Sequence, residues 1–295
     1  MLIDAAYMAI NSGHGIVFVA TAKESPESDA TVGDFRRLAE LCQCPFFQGS
    51  RFTDDQINIL SNVSPDLGLT MNWPTMIPEN IVNKFQFGVV NAHGSDLPRY
   101  RGNACPNWAI INGDKKIGLT FHLIDPDGLD TGAVVHKEFL DIDDEVYIGD
   151  VYSWLANVVP EGFVKSIQML AMGHLPTPQE GEVIRAYPRK PEDGRIDWKE
   201  DSHKIHRLIR ASSRPFPGAF CFFRPKNEEN AKKVIVWRAV ESELHHDILA
   251  VPGQILFYSS QSKPVVACGE GAIELIDYVV ENGGRLTGSL RDRFI

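Results

Sequence analysis

The sequence predicts an α/β domain, built as a doubly wound and mostly parallel sheet, followed by a smaller OB-like β-barrel. Up to residue 172, short β-branched runs alternate with helical stretches, the pattern of successive βα units. Residues 173–191 then hold Pro176, Pro178, Gly181, Pro188 and Pro191, a linker composition that sets the division at 1–188 and 189–295. From Ala219 onward the chain reads as short strands separated by turns such as Pro252-Gly253 and Gly269-Glu270-Gly271.

Bulk properties exclude several classes. With 295 residues, 43 % hydrophobic and 23 % charged, the chain has the composition of a folded globular protein of two ordinary domains. No apolar run reaches the ~18 residues that cross a bilayer, and no basic segment leads into an apolar core. The expectation is a cytoplasmic protein without a membrane partner. A net charge of -10 argues against nucleic acid as the main partner, because that affinity rests on Lys and Arg neutralising phosphate. The five cysteines are irregularly spaced, and Cys42-x-Cys44 is too tight for a zinc pair and has no second pair to complete it. Free thiols in a reducing compartment and no metal are expected. No dinucleotide or P-loop fingerprint occurs.

The elements follow in order. Leu2, Ile3, Ala6, Met8, Ala9 and Ile10 predict a helix over 1–12, with Gly13 as its cap, before a strand over 15–21. Residues 23–31 are polar and loop-like; 32–41 carry Phe35, Leu38 and Leu41 at helical spacing; 45–47 form a short strand. Thr53 opens a helix to Leu60, a strand covers 66–71, and 72–78 is a Pro-stiffened loop. After a strand over 87–90 come a helix over 106–112 and strands over 117–124 and 134–139, with His122 read as a core histidine. The acidic run from Asp141 to Asp150 suits the start of a helix over 151–172, in which Pro160 should produce a kink. A helix over 202–211, with Ile205, Leu208 and Ile209 on one side, precedes the barrel strands 219–223, 234–239, 254–258, 265–268 and 272–276.

The chemistry gathers at the end of the 87–90 strand, where Asn91 and His93 share one face if the extended geometry persists into the following loop. Ligands of open α/β sheets collect at the carboxyl ends of strands. An imidazole can move protons there, a carboxamide N–H can donate to a developing oxyanion, and a later carboxylate can orient the imidazole. These are the parts of an acyl-transfer site.

The wider strings are Asn91-Ala92-His93-Gly94-Ser95-Asp96-Leu97-Pro98-Arg99-Tyr100-Arg101-Gly102 and Asp125-Pro126-Asp127-Gly128-Leu129-Asp130-Thr131-Gly132. They resemble the folate-dependent formyltransferases, whose pattern is Asn-x-His, Ser-x-Leu-Pro-x-Tyr/Trp-Arg-Gly and Asp-Thr-Gly. A second string, Arg189 to Trp198 with Arg210 to Ala219, resembles the junction of that family's catalytic domain with its small barrel, so the likeness covers most of the chain. The resemblance implies transfer of the formyl group of 10-formyltetrahydrofolate, a co-substrate, to a primary amine, with Asn91, His93 and Asp130 catalytic and no metal required. It also implies a folate pocket lined by Thr75, Met76 and Ile77 through their main chain, by Asn103, and by Pro126, Asp127, Gly128 and Leu129.

There are departures from the family pattern. Asp96 stands where an apolar residue is common, Cys105-Pro106 replaces a more usual Pro-x, and Asn103 sits where one branch has a folate-contacting Arg. The family also begins one strand before the 1–12 helix. The preferred acceptor is a small molecule, a nucleotide-linked 4-amino sugar, because the segment 23–29 is short and net acidic where tRNA-formylating enzymes carry a basic insertion. His93-Gly94-Ser95 and Pro106-Asn107-Trp108 point the same way. Arg99 and Arg101 could approach a diphosphate or serve only contacts within their loop. Initiator methionyl-tRNA, hydrolysis of formyl-folate, and a non-catalytic binding protein remain the alternatives, and a homodimer is compatible with the sequence.

Overall fold

The computed structural model describes residues 1–22, 30–224, 230–242, 248–283, 286 and 293–295. The acidic segment 23–29, which bears on the choice of acceptor, lies outside the described residues.

The second and third helices start at side-chain caps. After α1 (Leu2–Asn11) and β1 (Val19–Thr21) comes α2 (Val32–Leu41), where Thr31 Oγ1 accepts from the Asp34 N–H while the Asp34 carboxylate accepts from Thr31 N at 2.7 Å. Beyond β2 (Phe46–Gln48), Thr53 and Gln56 make the same reciprocal box for α3 (Asp54–Val63). The chain continues through β3 (Gly68–Thr70), α4 (Glu79–Val82), β4 (Val89–His93), β5 (Arg101–Gly102), α5 (Cys105–Asn112), β6 (Lys116–Leu123) and β7 (Val134–Asp141). It then enters α6 (Ile148–Ala171), which stays helical through Pro160, and β8 (Arg185–Ala186). The helix starts earlier than its pattern predicts because Asp150 folds back to accept from Tyr147 N at 2.8 Å, inside the acidic run.

The chain divides into two compact units. The first comprises Met1–Cys105, Lys116–Asp141 and Val151–Tyr187; the second comprises Pro106–Lys115, Ile142–Asp150 and Pro188–Ile295.

In the first unit β1 and β2 pair in parallel, and a second sheet has the order β3-β4-β6-β7. Here β3 and β4 are parallel, and β6 and β7 add antiparallel. β5 and β8 form a separate parallel pair, Arg101 with Arg185. The sheet of β1 and β2 and the four-stranded sheet are not hydrogen-bonded to one another among the described residues. A cavity of about 520 Å³ lies between them, lined by α1, by residues from His14 to Ala22 and by residues from Ser64 to Trp73. The strand that precedes the first helix in the resembling family would be central here, and among the described residues no strand takes that place.

The register of the four-stranded sheet determines which side chains meet. Thr70 pairs with Asn91, and across the antiparallel ladder His122 faces Asn91 and Thr120 faces His93. Opposed residues share a face, so these side chains stand on one side of the sheet and Phe121 stands on the other. On that other side Phe121 stacks on His136 at 4.5 Å and meets Phe163 of α6 edge-on at 5.3 Å. The approach is close: a Cβ at Gly162 would come within 2.1 Å of Phe121.

In the second unit α7 (Ser202–Ser212) is capped by Asp201, which accepts from Lys204 N at 2.7 Å. β9 (Ala219–Arg224), β10 (Lys232–Ser242), β11 (Ile255–Tyr258), β12 (Pro264–Ala267), β13 (Ala272–Val280) and β14 (Arg293–Phe294) form one antiparallel sheet of order β11-β12-β13-β10-β9-β14. A bridge between Gln254 and Arg293 brings its two edges together, so the sheet is a nearly closed barrel. Trp198, Ile205, Ile209, Phe223, Val236, Ile273 and Phe294 fill its core.

Because Phe121 is fully buried between His136 and Phe163, it cannot yield room for a methyl group at residue 162. Gly162→Ala should lower unfolding free energy by about 1–3 kcal/mol, read as a reduced urea midpoint at unchanged slope.

Candidate functional site

β4 presents Asn91 and His93 on the same side, 9 % and 8 % exposed. The sequence places His93 on a solvent-reachable loop; in the structure it is the last residue of the strand and is buried. The ladder with β6 extends to His93 opposite Thr120, and this pairing keeps the chain extended beyond the end of its apolar run.

The imidazole of His93 is hydrogen-bonded through one nitrogen and faces a carboxylate with the other. Nε2 lies 2.9 Å from the carbonyl oxygen of Tyr100, which only accepts, so Nε2 carries the hydrogen. Nδ1 faces Asp130 Oδ1 at 3.7 Å, within ion-pair range and longer than a direct hydrogen bond. Long contacts of this kind commonly tighten when substrate binds. Cys105 Sγ also donates to the Tyr100 carbonyl, at 2.9 Å. Burial, and then the nearby Asp130 charge, push the Cys105 thiol far above its usual range, so it remains a neutral thiol and no nucleophile.

Asp130 is held from three directions. Its Oδ2 accepts from Gly102 N at 2.8 Å. Gln179 Nε2 donates to the carbonyls of Asp130 and Gly132, both at 2.8 Å, while Arg101 donates to Gln179 Oε1 through Nε at 3.1 Å and Nη2 at 2.8 Å. The turn is also fixed from below, where a Cβ at Gly132 would lie 1.8 Å from the Leu123 carbonyl oxygen. Asp130 and Tyr100 both occupy left-handed backbone, φ 55° and 59°, a conformation that costs of order 1–3 kcal/mol outside glycine and is kept only where surroundings impose it.

The structure adds a residue that the sequence assigns to the core. His122 is fully buried, as expected, and its Nε2 lies 3.1 Å from Asn91 Nδ2 and 3.9 Å from Asp130 Oδ1. Only the β4–β6 register could reveal this, since the two residues are 31 apart in sequence. Burial, followed by the neighbouring His93, lowers its pKa to about 4 against the opposing pull of Asp130. Gln179 escapes the sequence reading for a similar reason, since it sits in a stretch whose composition reads only as linker.

The residues assigned to a ligand pocket are more scattered. The loop carrying Thr75, Met76 and Ile77 leaves β3 at the end of the sheet where Thr70 pairs with Asn91. Thr75 Oγ1 donates to Ser50 O at 2.7 Å, Met76 is 44 % exposed, and the Ile77 side chain is buried in a cluster with Leu60, Ile81 and Phe85. Asn103 is exposed and anchored by its N–H to Ala186 O at 3.1 Å. Pro126, Asp127, Gly128 and Leu129 ride on a turn organised by Asp125, which accepts from Thr131 Oγ1 at 2.7 Å and Asp127 N at 3.0 Å, contacts that hold its carboxyl below the usual range. Arg99 pairs with Glu182 at 2.7 Å and Arg101 with Gln179, so both arginines are engaged with the 179–182 segment. Asp96, the polar departure from the family pattern, is paired with Lys137 at 2.6 Å. Among the described residues no group of three or more His, Cys, Asp or Glu is placed to hold a metal ion, and no helix is long and apolar enough to cross a membrane.

Comparison with known proteins places this geometry in context. Residues 2–167 match the family model described as formyl transferase, and 189–290 match its C-terminal domain. Methionyl-tRNA formyltransferase of Pelotomaculum thermopropionicum is 30 % identical over 283 residues, covering 94 % of this chain and 87 % of its own. An N-formyltransferase from Helicobacter canadensis, solved with folinic acid and dTDP-3-aminofucose, superposes with a TM-score of 0.65 at 17 % identity, covering 94 % of this chain and 95 % of its own. HypX from Aquifex aeolicus, solved with tetrahydrofolic acid, gives 0.59 at 19 % identity over 91 % of this chain and 45 % of its own.

The Gln179 clamp yields a direct test. Gln179→Ala leaves two carbonyls and a guanidinium short of partners, so amide exchange across residues 125–132 should accelerate at least tenfold, with a stability loss of about 1–3 kcal/mol. Unchanged exchange there would show that the turn is held without Gln179.

Proposed function

The chain belongs to the formyl transferase family, and on that premise we propose that it moves the formyl group of 10-formyltetrahydrofolate to the primary amine of a nucleotide-linked amino sugar. The observation that carries the reaction class is the convergence of Asn91, His93 and Asp130 on one face of the sheet.

The chemistry follows from their geometry. The amine nitrogen attacks the formyl carbon, the carbonyl electrons move onto oxygen, and the amine becomes acidic. Asn91 donates an amide N–H to that oxyanion. His93 takes the amine proton at Nδ1, since Nε2 already carries a hydrogen bonded to Tyr100 O. The imidazolium then has both N–H groups directed at acceptors, the Tyr100 carbonyl and the Asp130 carboxylate. As the carbon–nitrogen bond to the folate breaks, His93 returns the proton to the leaving N10. The loops at 75–77 and 126–129 and the backbone near Asn103 form the folate side of the pocket in this reading, and no metal takes part.

Two observations favour a small acceptor: the acidic balance of 39 carboxylates against 29 basic residues, and the fold shared with a sugar-nucleotide N-formyltransferase. Formylation of initiator methionyl-tRNA is the second reading, favoured by the relatives that align over nearly the whole chain. In either case the 189–295 barrel is a structural companion to the 1–188 reaction domain.

His93→Ala should lower kcat by roughly 10²–10⁴ while the far-UV spectrum is unchanged, and Asp130→Asn should lower it in the same direction. Turnover of the His93 variant near the wild-type value would remove that residue from the mechanism. Offered methionyl-tRNA and a nucleoside-diphosphate 4-amino sugar with 10-formyltetrahydrofolate, the protein should formylate the sugar saturably. Its affinity for the tRNA should stay no tighter than the ~10⁻⁴–10⁻⁶ M of non-specific contact at physiological salt. Mass spectrometry distinguishes the products, and formylated tRNA without sugar product would reverse the acceptor assignment.

A further inference from the structure

A carboxamide can donate to an oxyanion only when its nitrogen, and not its oxygen, faces the reacting atom. The two orientations differ by a half-turn of the Asn91 side chain, and nothing in the residue itself selects one. We propose that His122 is the positioning residue that selects it, by accepting one Asn91 amide hydrogen at Nε2 and so fixing the carboxamide in its donating orientation. This rests on the reading of Asn91 as the oxyanion donor.

The selection is forced through a chain of single-role partners. The Leu123 carbonyl lies 2.8 Å from His122 Nδ1 and can only accept, so Nδ1 carries the hydrogen. Neutral His122 therefore has a bare lone pair at Nε2, and the atom 3.1 Å away must be the Asn91 nitrogen. Turning Asn91 over would set its oxygen against that lone pair inside a region where His122 has no exposure to water. The other tautomer would turn Nε2–H toward Asp130 Oδ1 at 3.9 Å, but would leave the Nδ1 lone pair against the Leu123 oxygen at hydrogen-bond distance.

Burial above all keeps His122 neutral; His93 and Arg101 also oppose a second proton, against the pull of Asp130 and the Leu123 carbonyl. When His93 becomes an imidazolium its charge further discourages protonation of His122, so the transferred proton stays on His93 and Nε2 remains an acceptor throughout.

Three measurements on the full-length protein test this. Nitrogen NMR of wild type labelled in histidine should show His122 protonated at Nδ1 and bare at Nε2 at pH 7; the reverse pattern would overturn the proposal without reference to any variant. His122→Leu should lower kcat about 10–100-fold with KM for the folate and the amine unchanged within about twofold, and His122→Gln, which offers an acceptor oxygen, should recover most of it. In an Asn91→Ala background, His122→Leu should have no further effect, because both substitutions disable the same donor. Additive losses, or full kcat in His122→Leu, would overturn the assignment. Should His122→Leu fail to fold, the nitrogen NMR of the wild type decides the proposal alone. Wild-type turnover in Asn91→Ala would instead remove the oxyanion reading, and with it the catalytic value of the pair, whatever the tautomer.

Discussion

The site depends on one buried carboxylate. Asp130 sits among groups that are themselves shielded from water, so the protein and not solvent has to supply its polar contacts. Gly102 N–H donates to one oxygen; the other stands 3.7 Å from His93 Nδ1, placed to accept from it once His93 takes up a proton. Satisfying those contacts requires a left-handed turn at Asp130, a glycine beneath it at Gly132, and a brace from Gln179 and Arg101 above. Strand β4, the loop after it, the turn after β6 and the segment following α6 all acquire fixed positions from this one requirement.

Much of this was legible in the residues. The cap at Thr53, the β-branched run ahead of Asn91 and the alternating helices and strands gave both domains their order, because each signal is local. Asn91, His93 and Asp130 were legible as types suited to acyl transfer and as parts of a family pattern. What local signals could not supply was register. His122 became part of the site through a ladder pairing 31 residues away, and Gln179 through hydrogen bonds to a turn 49 residues away. The burial of His93 escaped for the same reason, since an added strand residue depends on a partner strand.

The arginines show the opposite lesson. Arg99 and Arg101 read equally well as anion contacts or loop contacts from sequence. Their partners, Glu182 and Gln179, come from a segment whose composition suggests a mere connection between domains. That segment belongs to the first unit up to Tyr187, and β8 within it pairs with β5.

This has a practical consequence for anyone dissecting the molecule. The recognisable first family region ends at residue 167, inside α6. A fragment cut there would retain every residue of the Asn91, His93 and Asp130 group, yet it would lack Gln179, Glu182 and the whole of β8. Such a fragment would carry the right reactive groups on an unbraced scaffold. The bracing of the reactive groups is therefore set by hydrogen bonds rather than by the family boundary, and the unit that contains it extends through Tyr187.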